Sequence, residues 1–253
     1  MADTRSVADW TTARAIVDDA ISAFGRLDVV VNNAGISRPT RFGAIAEDDW
    51  RLTFDVNAMG TAAIIDAAAR HWAAVGPDRG RAIVNTASPA AASTLAPIGL
   101  YSASKAAVVA LTEAAAEDLA PLGVRVNAIA PVARTRLIDG VPEMVEYMAP
   151  RAGFDRFDPA HVSALVVYLA SPLCRFTARL IGVEGDTVYL YSQRSAEVRL
   201  CNDGVAPTPG KLARSLKGEP AQQEFWAVFP GDRIRFRLPA DGVAATLESI
   251  AAA

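Results

Sequence analysis

Hydrophobic positions along this chain change their spacing in a regular way. Over residues 7–24, Trp10, Ala13, Ile16, Val17, Ala20 and Phe24 recur with helical spacing, which gathers them on one side of a helix. Gly25 follows, where a C-cap would end that helix. LDVVVNN (27–33) is instead a continuous apolar, β-branched run, the pattern of a strand covered on both faces in a parallel sheet. The alternation then repeats. Residues 47–73 predict a helix opening on Glu47, Asp48 and Asp49, acidic side chains that suit the positive end of the helix dipole. RAIVNTAS (81–88) predicts a second strand, residues 100–120 an alanine-rich helix, and GVRVNAIAP (123–131) a third strand that Pro131 ends. Asp158-Pro159 predicts a helix start, with the aspartate as N-cap and proline at the first helical position, running to about Ala170. RLIGVEG (179–185) predicts a fourth strand.

This rhythm implies the α/β class, a doubly wound parallel sheet with right-handed crossovers. Ligands of such sheets bind outside the carboxyl ends of the strands. Those ends are Asn32–Gly35, Ala87–Ser88 and Pro131–Thr135, three segments expected to converge on one rim. Beyond about residue 186 the pattern changes. TVYLYSQ, EVRLC, FWAVF and RIRFRL predict short strands, separated by loops such as VAPTPG and by a turn at Pro230-Gly231-Asp232. The expected organisation is a first unit over 1–186 and a strand-containing C-terminal extension over 187–253, serving as accessory sheet, lid or assembly element.

Composition narrows the function classes. Hydrophobic residues make up 51% and charged residues 21% of the chain, enough apolar material for a substantial core. The net charge of −3 offers no basic excess for phosphates, so no nucleic-acid partner is expected. Cys174 and Cys201 lack CxxC spacing, and His71 and His161 stand far apart without ligand-like neighbours, so no metal site is expected. The start MADTRSVADW does not read as a signal peptide, and no apolar run approaches the roughly 18–20 residues that span a bilayer. The expectation is a soluble cytoplasmic protein with no membrane partner.

The candidate chemistry lies at the predicted rim. Tyr101 and Lys105 stand four residues apart on a predicted helix, so phenol and amine share one face. A phenol with a pKa of about 10 exchanges protons poorly at neutral pH, and a nearby ammonium favours its ionised form. Such a pair can hand a proton to an alkoxide or take one from an alcohol. Ser88 ends the second strand thirteen residues earlier and can orient a carbonyl oxygen; a plain turn serine is the alternative reading. Asn57 sits inside the 47–73 helix, where asparagine competes for backbone groups, so it either bends the helix and holds a water or is an exposed amide. Asn33, Ala34 and Gly35 close the first strand with small residues, either to admit a flat ring or simply to turn the chain.

NNAG after a buried strand, Asn57 on the next helix, a serine at the next strand end, YxxxK, and then VNAIAP occur in one order. In this the sequence resembles the short-chain dehydrogenase/reductase family, from about Asp3 to Gly185. The resemblance implies a Rossmann-type sheet and an NAD- or NADP-dependent oxidoreductase interconverting a ketone and a secondary alcohol. It implies a catalytic tetrad of Asn57, Ser88, Tyr101 and Lys105. Tyrosine would act as general acid/base, lysine would lower its pKa and hold the nicotinamide ribose, serine would position the substrate oxygen, and asparagine would support a relay water. It implies cofactor contacts at Asn33, Ala34, Gly35, Tyr101, Lys105, Pro131 and Thr135, and it likens Asp3 to the family aspartate beside the adenine. PVARTRL and DPAHVSALVVYLAS resemble most the branch of acyl-thioester reductases and hydroxyacyl dehydrogenases. The implied partners are a small carbonyl or alcohol substrate, an acyl thioester among the candidates, and further copies of the chain. Assembly would use the alanine-rich faces Ala62, Ala63, Ala67 and Ala106, Ala107, Ala110.

The sequence also departs from the family pattern. The family opens with a strand and a TGxxxGxG turn whose glycines bring the pyrophosphate to a helix N-terminus. No such motif precedes NNAG, and only 31 residues precede Asn32, so the sheet is expected to lack its first strands. The strand at 28–32 would then present an apolar edge, and part of one sheet face would lose its helix cover. Val132 stands where the family has glycine, and Ala178 follows Thr177 where glycine is usual. Two functions follow: an oxidoreductase, or a non-catalytic homologue acting as a binding or assembly subunit. A serine hydrolase built on Ser88 lacks a GxSxG turn and a partnered histidine.

Overall fold

The computed structural model describes residues 2–93, 96–139, 142–150, 152–192, 226–229 and 232–235. Helix α1 (Trp10–Phe24) forms with Asp9 as N-cap, its carboxylate accepting from Thr12 N at 2.7 Å. Gly25 ends it at φ 76°, as expected. Strand β1 (Val29–Asn32) follows, then α2 (Glu47–Phe54), a π-helical turn over Asp55–Met59 and α3 (Gly60–Val75). The single helix expected over 47–73 is thus interrupted by one widened turn centred on Asn57. Strand β2 (Ala82–Thr86), α4 (Gly99–Asp118) and β3 (Arg125–Pro131) come next. Then come α5 (Pro142–Tyr147), α6 (Ala160–Ala170), β4 (Leu180–Glu184) and β5 (Thr187–Leu190). Helix α6 begins one residue later than expected, because Pro159 occupies the N-cap; Asp158 still accepts from Ala160 N at 2.8 Å.

The sheet runs β1-β2-β3-β4-β5. β1 to β4 are parallel, and β5 folds back antiparallel on β4 with Gly182 opposite Tyr189. The first strand of the C-terminal segment therefore extends the edge opposite β1. Strands β6 (Trp226–Phe229) and β7 (Asp232–Arg235) pair antiparallel with Phe229 opposite Asp232. The expected strand EVRLC lies outside the described residues, as do Pro230 and Gly231 of the expected turn.

Helices cover both faces, as a doubly wound sheet requires. One core layer holds Ala13 and Val17 of α1, Ile64 and Trp72 of α3, Ala115 and Ala116 of α4, and Val30, Ile83 and Val126 from the strands. Trp72 is fully buried and donates through Nε1 to Leu27 O at 2.8 Å, so its one polar atom is satisfied. Ala63 and Ala67 belong to this layer too, so these two alanines are spent inside the chain rather than on an outer face. The opposite layer packs Leu165 and Leu169 of α6 on Val84, Ile129, Ile181 and Val183. Val31 shares a register with Val84 but remains 45% exposed, and Val29 is 36% exposed. The cover provided by α6 stops short of β1, which is the uncovered edge anticipated above; among the described residues no strand pairs with its free side.

Ala178 is the one described non-glycine residue with positive φ, at 56°. The backbone needs a left-handed residue there, and Ala178 N donates to Val126 O at 2.7 Å, which holds the strained turn in place. A β-carbon costs about 1 kcal/mol in that conformation. Ala178→Gly is expected to raise unfolding free energy by about 0.5–1 kcal/mol, read as a higher midpoint in urea with an unchanged slope.

Candidate active site

The parallel register places the carboxyl ends of β1, β2, β3 and β4 on one rim, where Asn33–Gly35, Ala87–Ser88 and Val132–Thr135 emerge. Helix α4 starts at Gly99 and passes this rim with Tyr101 in its first turn and Lys105 one turn on. Ser88 Oγ accepts from Ala90 N at 3.2 Å, which leaves its hydroxyl hydrogen to hydrogen-bond the Tyr101 phenol. The Lys105 amine lies 5.8 Å from the centroid of the Tyr101 ring. Serine, phenol and amine therefore come together, as the spacing predicted.

Their electrostatics differ from the expectation that lysine lowers the phenol pKa. Burial pushes the Tyr101 phenol above its ordinary value, and the bond from Ser88 only partly offsets this. Lys105 itself is 2% exposed, and burial lowers its pKa to about 8. Its amine donates to Thr86 O at 2.7 Å. In this geometry desolvation wins for both groups, because packed protein replaces much of the water around each and the amine's described bond goes to a carbonyl rather than to the phenol.

Asn57 is fully buried in the π turn. Its Oδ1 accepts from Ile36 N at 2.9 Å, and its Nδ2 donates to Ile36 O at 3.0 Å and to Ser104 Oγ at 2.8 Å. The asparagine thus clamps the segment after β1 to α4, with Ser104 between Tyr101 and Lys105 as the link; Ser104 Oγ in turn donates to Tyr101 O at 2.7 Å. π turns cluster at functional sites because the extra residue re-aims a side chain. Ser104 escaped the sequence reading, since a serine inside a helix carries no signal until its partner is known. The amides behind the rim also form a chain, Asn32 to Asn85 at 2.9 Å and Asn85 to Thr112 at 2.9 Å, that ties β1, β2 and α4 together.

Asn33 Oδ1 accepts from Thr86 Oγ1 at 3.0 Å. Gly35 lies so close to the cluster that a β-carbon would sit 3.2 Å from Lys105 Nζ and 3.3 Å from Asn57 Oδ1. Ala34 stands between these two on the exit from β1. Pro131 ends β3 opposite Val183, and Thr135 caps a short turn over Arg136–Ile138. Asp3 lies in the segment that precedes α1. Arg5 takes up its carboxylate, holding it down to about 2, and bridges it to Asp19 on α1.

A model for the family described as Enoyl-(Acyl carrier protein) reductase matches residues 4–183. The chain belongs to the short-chain dehydrogenase/reductase family. It is 34% identical over 242 residues to a hydroxyacyl-CoA dehydrogenase of Mycobacterium tuberculosis, covering 88% of this chain and 74% of that relative. A solved short chain dehydrogenase from Mycobacterium avium superposes with a TM-score of 0.74 at 32% identity, over 86% of this chain and 71% of the other. A gluconate 5-dehydrogenase from Burkholderia cenocepacia J2315, solved in complex with NADP and tartrate, gives a TM-score of 0.64 at 28% identity, over 72% of each chain.

The nicotinamide dinucleotide of this family can be tested against the residues present. Lys105 has three donors and spends one on Thr86 O, and Gly35 keeps the space beside it free of a side chain. That end of the rim fits a ribose diol. Residues 2–28 contain a single glycine, Gly25, and it caps α1 rather than closing a strand, so they supply no glycine turn for a pyrophosphate. Among the described residues no cluster of three metal-ligating side chains occurs, and no helix is long and apolar enough to cross a membrane.

Proposed function

We propose that this short-chain dehydrogenase/reductase interconverts a ketone and a secondary alcohol, with Tyr101 as general acid/base. The observation that carries the reading is the Ser88–Tyr101 hydrogen bond with the Lys105 amine beside the ring, all at the carboxyl end of the sheet. Ser88 holds the reacting oxygen and Tyr101 gives it a proton in reduction or takes one in oxidation. Lys105, its amine 5.8 Å from the ring centroid, offsets with its charge only part of the burial cost of a phenolate once that proton has left. Asn57 acts through Ile36 and Ser104, fixing the segment after β1 against α4. A nicotinamide dinucleotide, NAD or NADP, would supply or accept the hydride, with its ribose on Lys105 and its amide side along Asn33–Gly35 and Pro131–Thr135. Kinship with the hydroxyacyl-CoA dehydrogenase favours a 3-oxoacyl or 3-hydroxyacyl thioester as substrate.

A second reading, a non-catalytic binding or assembly subunit, draws on the missing glycine turn in residues 2–28. Fluorescence titration of the full chain with NADH and NADPH, followed by acetoacetyl-CoA reduction, separates the two. Saturable quenching or enhancement with one nucleotide and turnover of the thioester are expected. Absence of both at millimolar nucleotide would overturn the enzymatic reading in favour of the second.

A further inference from the structure

Helices α1 and α3 pack side by side through Ala13, Val17, Ala63 and Ala67, and a groove of about 370 Å³ opens between them. The groove is separate from the rim: Ala67 and His71, which line it, lie roughly three to four turns along from Asn57, about 15–20 Å on. Its floor is apolar, formed by Ile21 of α1 and Ala67 of α3. Its walls are polar. Arg14, Asp18 and Ser22 follow at intervals of four along one face of α1, and Arg70 and His71 come from α3. Two acid–arginine pairs four residues apart stand on these helices, and they differ. Asp66 precedes Arg70, the order that suits the helix dipole, and Arg70 Nε donates to Asp66 Oδ2 at 2.8 Å. Arg14 precedes Asp18, the less favourable order, and among the described residues neither side chain enters a hydrogen bond or an ion pair. Arg5 pairs instead with Asp19 and Asp3. Arg14 therefore keeps its five N–H donors for the groove, Arg70 keeps four, and Asp18 keeps a whole carboxylate as acceptor.

We propose that the groove between α1 and α3 is a second binding site, for a small phosphorylated polyol of the sugar-phosphate class. Phosphate oxygens are held by the planar forks of Arg14 and Arg70, with His71 and Ser22 as further donors. Asp18 accepts from the hydroxyls, the part a carboxylate plays toward a ribose diol, and the carbon face of the ring rests on Ile21 and Ala67. The carboxylate decides between ligand classes. A bare phosphate gains at the arginines and is repelled by Asp18, whereas a phosphate that also carries hydroxyls satisfies both. The volume lies toward the small end of the roughly 300–1,000 Å³ typical of ligand pockets, which suits a monosaccharide and not a dinucleotide.

The test is calorimetric titration of the full chain with ribose 5-phosphate, ribose and inorganic phosphate, beside the Arg14→Ala, Arg70→Ala and Asp18→Asn variants. These three residues are exposed, so the substitutions leave the core untouched. Ribose 5-phosphate is expected to bind at one site per chain with a Kd below about 1 mM, about 10-fold or more tighter than ribose or inorganic phosphate. Arg14→Ala and Arg70→Ala each weaken it by about 10-fold. Asp18→Asn moves the two anions in opposite directions: ribose 5-phosphate weakens by about 5-fold as its hydroxyls lose their acceptor, and inorganic phosphate tightens by about 2-fold as the repulsion goes. Equal affinity for ribose 5-phosphate and inorganic phosphate means an adventitious ion only. That result overturns the proposal, as does the absence of saturable heat up to about 10 mM. Full affinity in Arg14→Ala places the ligand elsewhere and overturns it too, and so does an Asp18→Asn change of the same sign for both anions. No readout involves turnover, so the outcome stands whether or not the rim is catalytic.

Discussion

Tyr101→Phe is expected to lower kcat for acetoacetyl-CoA reduction by about 10²–10⁴-fold, the usual contribution of a positioned acid/base group. The ring keeps its place in the first turn of α4, so NADH or NADPH affinity stays within about 2-fold and the fold is unchanged. The lost atom is the phenol oxygen that Ser88 hydrogen-bonds, while the Lys105 amine lies 5.8 Å from the ring centroid. Parallel nucleotide titration and single-turnover kinetics check the separation. A variant that retained half of its turnover would remove Tyr101 from the acid/base role and leave Ser88 with no partner for chemistry.

The second large effect concerns Lys105, where stability and activity are expected to move in opposite directions. An amine 2% exposed with a pKa near 8 is held against its preference for water. Below about pH 8 it is charged in both folded and unfolded chains, and the cost of burying that charge is constant. Between about 8 and the ordinary value of 10.5 the folded chain has released the proton while the unfolded chain still binds it, so stability rises with pH across that window. Lys105→Met removes the buried charge. At pH 7 it is expected to stabilise the chain by about 1–2 kcal/mol, net of the lost bond to Thr86 O, and to abolish the alkaline rise. The same change is expected to cost about 10²–10³-fold in kcat/KM, the scale seen when one preorganised charge or donor is removed from a reacting centre. Thermal melts at pH 7 and pH 10 beside kinetics check both halves. A variant that melts lower at pH 7 would show that the amine stabilises the fold, contrary to the desolvation argument.

The departures from family pattern were also readable in structural terms. Alanine after Thr177 shows up as a residue forced to positive φ, a strain predictable from the letter because only the absence of a β-carbon makes that region cheap. The exposed Val29 and Val31 follow from a strand whose composition asks for two covered faces while α6 reaches only as far as β2. The interruption at Asn57 was half legible. An asparagine inside a helix signals competition for backbone groups, but the π turn exists because its amide finds Ile36 and Ser104, two residues far away in sequence.

From the letters alone came the alternation of strands and helices, the rim on which Asn33–Gly35, Ser88 and Pro131–Thr135 meet, and the pairing of Tyr101 with Lys105. These depend on hydrophobic period and on four-residue helical spacing, both local properties of the chain. Folding in three dimensions decided the rest. It paired Asp3 with Arg5, joined Arg134 to Asp155, and through burial raised rather than lowered the phenol's pKa. The reason is common to all three: a charge or proton responds to everything packed around it, and those neighbours come from strands, helices and loops whose separation along the chain says nothing of their distance in space.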